Sequence, residues 1–189
     1  NLPRPISRRD VFDIVDQIRT TSDAERDRVA EKAFVAIMVW GYGTTGYGPH
    51  RVKEMRASRQ EGLGSYMVNI TEAASDGPVE AYRFLANNKA KQLGPSYGSK
   101  VAYFATPGEV SPVLDSEVAQ WIQQYEGRAH FQLTEWSTLQ YGDFQAYCSQ
   151  LLDVIRPLVS EAEQTLGLVE YLMFTDRFAG SLPSWARRI

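Results

Sequence analysis

Cysteine is nearly absent: Cys148 stands alone among 189 residues, so neither a disulfide framework nor a multi-cysteine zinc or iron–sulfur centre can be built within the chain. Histidine is as scarce, and His50 and His130 lie too far apart in sequence to form a metal-binding motif. No cofactor is expected. No apolar run reaches the ~20 residues of a membrane span, and the N-terminal region, with Pro3, Pro5 and Arg8-Arg9, lacks the apolar core of a secretion signal. A cytoplasmic protein without membrane contact is the expectation. Positive charge is not in excess either: the formal net charge of −3 argues against a protein that simply coats nucleic acid. Local basic faces remain, with Arg51, Lys53, Arg56 and Arg59 in one cluster and Lys89, Lys91 and Lys100 in another, and both read equally well as solvated helix surfaces.

What is present is a helical pattern. Hydrophobic residues make up 43% of the chain, enough for the core of one compact domain or at most two closely packed subdomains. Apolar residues recur at helical spacing and alternating runs are hard to find, which predicts an all-α fold. A first helix is expected from Ser7 to Ile18 and a second from Ser22, with Glu25 completing a capping box, to Trp40. Gly41, Gly43, Gly46 and Gly48 interrupt the pattern before Pro49 opens a third. Further helices are predicted at Ser65–Ala74, Pro78–Asn87, Ser99–Phe104, Asp115–Tyr125, Tyr141–Ile155 and Ser160–Phe174, the last with Ser160 and Glu163 as a second capping box. The section from Gly127 to Trp136 is the least regular. Cys148, spaced helically with Phe144 and Leu151, reads as a small core residue.

The chemistry concentrates between about residues 85 and 125. Leu93-Gly94-Pro95-Ser96-Tyr97-Gly98-Ser99-Lys100-Val101-Ala102 reads as a tight turn opening onto an apolar helix, and Pro112-Val113-Leu114-Asp115 places an aspartate at the start of the next helix. Glycines allow close backbone approach, and the amides of a helix start suit a phosphate oxygen. Gly94, Pro95, Ser96, Tyr97, Gly98 and Ser99 are thus the expected DNA-backbone contacts, which position without reading sequence. Asp115 either stabilises a developing positive charge or caps its helix, and the two roles are compatible. Lys100 is a candidate nucleophile. Apolar neighbours would lower its pKa from ~10.4, whereas an ionised Asp115 would raise it, and sequence leaves that balance open.

Gly98-Ser99-Lys100-Val101-Ala102 resembles the lysine-bearing signature of the helix-hairpin-helix DNA glycosylases, and Pro112-Val113-Leu114-Asp115 resembles the aspartate stretch of the same superfamily, above all its 8-oxoguanine DNA glycosylase branch. The chain departs from the family pattern in three ways: Leu114 is an extra residue, Pro95-Ser96-Tyr97 replaces the usual hairpin tip, and Lys100 and Asp115 are closer in sequence. The resemblance implies a single glycosylase-like domain over residues 1–189, a helical bundle with its active site in a cleft between two helical subdomains. It further implies Lys100 as nucleophile, Asp115 as essential carboxylate and double-stranded DNA with a modified base as partner, the enzyme acting as a monomer. The superfamily's iron–sulfur members match poorly, for want of cysteines.

Such chemistry requires an extruded base. Trp40, Tyr42 and Tyr47, on the glycine-rich segment Trp40–Arg51, are the candidate pocket or wedge residues, with Arg51 on a phosphate or an orphaned base. Trp40 serves equally as a core residue. In related enzymes the last helix faces the pocket, which would bring in Glu170-Tyr171. The implied activity is excision of an oxidised base such as 8-oxoguanine, with or without strand cleavage. The alternatives are excision of modified bases from phage DNA, a non-catalytic helix-hairpin-helix module and a helical protein-interaction domain.

Overall fold

A computed structural model describes residues 5–43, 47–126, 131 and 133–179. Among them are nine α-helices and no strand: α1 (Arg8–Thr20), α2 (Asp23–Tyr42), α3 (Tyr47–Ala57), α4 (Gly62–Ala73), α5 (Pro78–Asn87), α6 (Pro95–Ala105), α7 (Ser116–Glu126), α8 (Thr138–Ile155) and α9 (Leu166–Ala179). The all-α expectation is borne out.

Capping explains several boundaries. Ser7 begins α1 through a reciprocal box, its amide donating to Asp10 Oδ2 (2.9 Å) and its Oγ accepting from the Asp10 amide (3.2 Å). The box expected at Ser22 does not form: the Glu25 amide donates to the Ser22 carbonyl (3.0 Å) rather than to its side chain, and the Glu25 carboxylate takes Arg28 at 2.9 Å. Ser160 and Glu163 do form theirs, but it closes only a 3₁₀ turn, Glu161–Glu163. Gln164 leaves helical geometry there, and α9 starts afresh at Leu166 with Thr165 Oγ1 accepting from the Leu168 amide (3.1 Å).

α2 lies centrally, and buries Ala33, Phe34, Ile37 and Met38 against α1, α4 and α6. α6 is the most enclosed element, with every residue from Gly98 to Ala105 buried. Full burial of a large apolar side chain such as Phe104 contributes about 1.5–3 kcal/mol.

The hairpin between α5 and α6 differs from the sequence expectation. Its helix starts at Pro95 rather than Ser99, with Pro95 in the first turn, where a missing N–H costs nothing. Gly98 is therefore helical and not part of the turn. Neither Gly94 nor Gly98 has a left-handed backbone; that conformation falls on Gln92 (φ 67°). The glycine at position 98 answers a packing need instead: a Cβ would overlap the indole of Trp136, which lies against the α6 backbone.

Gly64 plays the same part between α2 and α4, where a Cβ would overlap the Asp27 carbonyl. Here the obstacle is backbone, which cannot swing aside. Gly64→Ala is expected to lower the urea midpoint by the equivalent of about 1–3 kcal/mol with an unchanged m-value; an unaltered midpoint would show that the two helices can separate freely.

Candidate active site

Lys100 and Asp115 meet. Lys100 Nζ lies 2.8 Å from Asp115 Oδ2, with the two side chains 8% and 16% exposed. Lys100 sits in the second turn of α6, and its aliphatic stem runs past Gly41 at the end of α2. A Cβ at Gly41 would lie 3.0 Å from Tyr97 Cε1 and 3.1 Å from Lys100 Cδ, so glycine makes room for both. The Tyr97 ring lies 5.7 Å from Nζ.

Hydroxyl groups hold the segment that carries the aspartate. Ser99 Oγ accepts the Leu114 amide (3.1 Å), and its own hydrogen is shared between the carbonyls of Leu114 (2.9 Å) and Ser96 (2.8 Å). Tyr141 OH donates to the Pro112 carbonyl (3.2 Å) and lies 2.6 Å from Ser111 Oγ. Leu114, the extra residue, buries its side chain here. Asp115 then divides its oxygens: Oδ1 accepts the amides of Glu117 (3.1 Å) and Val118 (3.2 Å), capping α7, while Oδ2 faces Lys100. Cap and ion pair coexist on one carboxylate.

Beside Asp115 opens a cleft of about 180 Å³, lined by Arg8, Trp40, Val113, Glu170, Tyr171 and Phe174. Glu170 is 2% exposed and receives a hydrogen bond from Arg8 Nη2 at 2.8 Å. The Arg8 guanidinium also reaches Tyr103 OH (3.4 Å) and lies among three rings, 5.3 Å from Trp40, 5.3 Å from Tyr103 and 5.7 Å from Tyr171. Burial pushes the Glu170 carboxyl up to about 6, the ionised Arg8 opposing, Asp115 adding to the rise and Lys100 countering it. α9 is brought to this place by Trp121 of α7, whose Nε1 donates to Asp176 Oδ2 at 2.7 Å.

The family model described as "Putative 8-oxoguanine DNA glycosylase OGG-like protein" matches residues 1–174. The chain belongs to this OGG-like family. Membership supports DNA glycosylase as the class of activity and DNA as the substrate. No curated protein and no solved structure matches the chain. Among the described residues, no helix is long and apolar enough to cross a membrane, and no cluster of three metal-binding side chains occurs.

The other sequence-derived candidates of the OGG-like chain fall into two groups. Trp40 borders the cleft, and Gly94, Pro95, Ser96 and Tyr97 are partly exposed at the start of α6, which no side chain caps. Tyr47 is 65% exposed at the start of α3. Gly98 and Ser99, by contrast, are buried and meet Trp136 and Leu114, so they support the hairpin rather than touching a phosphate. Tyr42 is only 8% exposed, stacked on Tyr97 at 4.1 Å and bonded through its hydroxyl to Arg51 Nη1 (2.9 Å). It backs Tyr97, whose ring lies near Lys100 Nζ, and is held in that stack rather than projecting as a wedge. The basic cluster is partly neutralised from within: Arg56 pairs with Glu31, Arg59 with Glu61, and Lys91 with Glu54. His130 and Thr44–Gly46 lie outside the described residues.

Sequence reasoning missed Arg8, and it set no role for Glu170 beyond its helix facing the pocket. Arg8 and Glu170 are 162 positions apart, and neither belongs to a local motif. The available signal was a glutamate at an apolar-facing position of α9, between buried Val169 and Met173.

Two predictions concern this architecture. Ser99→Ala orphans the Leu114 amide and carbonyl, so chemical denaturation should show a loss of about 1–3 kcal/mol; an unchanged stability would mean that the loop is held without the hydroxyl. Glu170, with its carboxyl raised from 4.5 to about 6, binds its proton more tightly in the folded state. Its contribution is therefore greatest below pH ~4.5 and is lost as pH rises through about 6, a change of about 2 kcal/mol. The stability difference between wild type and Glu170→Gln, measured from about pH 4 to pH 7, should follow that curve, and a flat difference would contradict it.

Proposed function

We propose that the protein is a base-flipping DNA glycosylase that excises an oxidised base such as 8-oxoguanine, with Lys100 as nucleophile and Asp115 as the electrostatic partner, and that it goes on to cleave the strand as an AP lyase. The observation that carries this reading is the 2.8 Å approach of an amine and a carboxylate beside an aromatic-walled cleft.

An ammonium cannot attack, so Lys100 must first release a proton, and Asp115 Oδ2 is within hydrogen-bonding distance to take it. The amine lone pair then forms a bond to the sugar's anomeric carbon while the electron pair of the glycosidic bond leaves with the base, to which Asp115 passes the proton it took, so that its carboxylate is ionised as the bond breaks. Positive charge develops on the deoxyribose during this exchange, as in other glycosyl transfers. Asp115, held by two amides and partly screened from water, stabilises that charge without having to reorganise. Ring opening, with a proton passing from the lysine nitrogen to the ring oxygen, yields a Schiff base at Lys100; removal of a proton from C2′ then forms a carbon–carbon double bond as the 3′-phosphate departs, which breaks the strand. Strand binding is supported by the uncapped start of α6, where exposed amides and the helix dipole favour a phosphate. Exposed Tyr47 is the better placed of the two tyrosines to fill the gap left by the base.

Borohydride treatment of the protein with an 8-oxoguanine duplex should trap a covalent adduct that Lys100→Gln abolishes, and Asp115→Asn should slow base release by at least a hundredfold. Base release without an adduct would reassign Asp115 to water activation. Salt-sensitive binding with neither adduct nor release would leave only a non-catalytic DNA-binding module.

A further inference from the structure

Lys100 and Asp115 account for bond breaking but not for the choice of base, and besides Asp115 the charged side chains that line the cleft are Arg8 and Glu170. We propose that Arg8 and Glu170 read the extruded base together, as a donor and an adjacent acceptor that select an edge offering an acceptor beside an N–H and refuse a base whose edge is blocked. This rests on the reading above, in which a base enters the cleft.

The pair is oriented for it. A guanidinium carries five N–H donors, and Arg8 commits one to Glu170 and one to Tyr103, leaving three. Glu170 Oε2 takes the Arg8 bond, whereas Oε1 accepts no hydrogen bond among the described residues. Both side chains line the cleft that contains Asp115, and so does the aromatic pair Trp40 and Tyr171. Its volume of about 180 Å³ is of the order of the ~150 Å³ cavities that hold a benzene ring. A base entering the cleft would present its edge to the ion pair, since Arg8 and Glu170 line it together.

Stability alone does not explain the arrangement. A buried ion pair contributes little beyond what well-packed apolar residues would supply, and aromatic rings already surround the place where Arg8 of α1 meets Glu170 of α9. The three rings around Arg8 fix the fork in one orientation, as a reader requires and a simple buttress does not. A site with buried polar groups rejects a ligand that leaves them unpaired far more strongly than an apolar pocket rejects a change of size. The substrates are therefore bases with an intact donor and acceptor edge, oxidised or deaminated, and not adducts that seal it.

The test uses the whole protein. Wild type is assayed on duplexes bearing 8-oxoguanine, hypoxanthine, uracil, ethenoadenine or ethenocytosine, the last two having edges closed by a carbon bridge, and on a duplex with an abasic site. Excision of at least one intact-edge base, at least tenfold faster than either etheno adduct, is expected. Glu170→Gln and Arg8→Lys, which keep the approximate shape, are expected to lower the ratio of excision to borohydride-trapped abasic adduct at least tenfold, since an abasic site has no base to read. A ratio unchanged in both variants, including an equal loss of both activities, overturns the pair as a reader. Equal or faster excision of the etheno adducts, or excision of no base in the panel while the abasic adduct forms, overturns it as well. Absence of an abasic adduct from wild type would instead strike the Lys100 mechanism, and the reading of the base would fall with it.

Discussion

One ion pair, between Lys100 and Asp115, sets the terms for the rest of the molecule. An ammonium almost removed from water is tolerable only when a carboxylate meets it with good geometry, so α6 and the segment before α7 have to be held in a fixed register. Ser99, Tyr141 and Ser111 supply that register through hydroxyl bonds to the chain between Ser111 and Leu114. The aromatic residues follow from the same need. Tyr141 stacks on Tyr82 at 4.2 Å, Tyr82 meets Trp136 at 5.1 Å, and Trp136 lies on Gly98, two residues before the lysine. An enclosed helix, three hydroxyls and a chain of rings converge on a single polar contact.

That organisation decides what a sequence reader can and cannot see. Helices whose boundaries depend on local chemistry were legible: Pro78–Asn87 coincides with its prediction because proline at the start is a local signal. Ser22 and Glu25 had the spacing of a capping box, but Arg28 competed for the same carboxylate, and spacing does not rank competitors. Gly98 was misread as a turn residue for a related reason. Glycine answers either to backbone conformation or to close packing, and only the position of Trp136, far along the chain, tells them apart. Lys100 and Asp115 were legible as motif residues that the fold brings together. Arg8 was not, because its significance lies in a partner on the opposite end of the chain and in rings from three separate helices.

Charge offers a parallel lesson. Counting Arg51, Lys53, Arg56 and Arg59 as one basic cluster and Lys89, Lys91 and Lys100 as another ignores the acids around them: Glu31 and Glu61 engage Arg56 and Arg59, and Glu54 and Asp115 engage Lys91 and Lys100. With a formal net charge of −3, the OGG-like chain offers no broad positive excess, and under the proposed function directed donors would contribute more to holding DNA. The start of α6, which no side chain caps, would supply donors of that kind, whose attraction for a phosphate is short in range and depends on angle.

The double duty of Asp115 has an evolutionary corollary. Its two oxygens answer to different selective pressures, one holding the first turn of α7 and the other facing the amine. A descendant that gave up chemistry would still be under pressure to retain an aspartate there, since losing the cap weakens the fold, and glutamate, one methylene longer, would not span the same two duties. Lys100 is tied in only by the second of these duties, so its loss would leave the cap in place and Asp115 with its two amide donors. Across such lineages the lysine would decay first, and it is the better marker for telling working enzymes from their retired cousins.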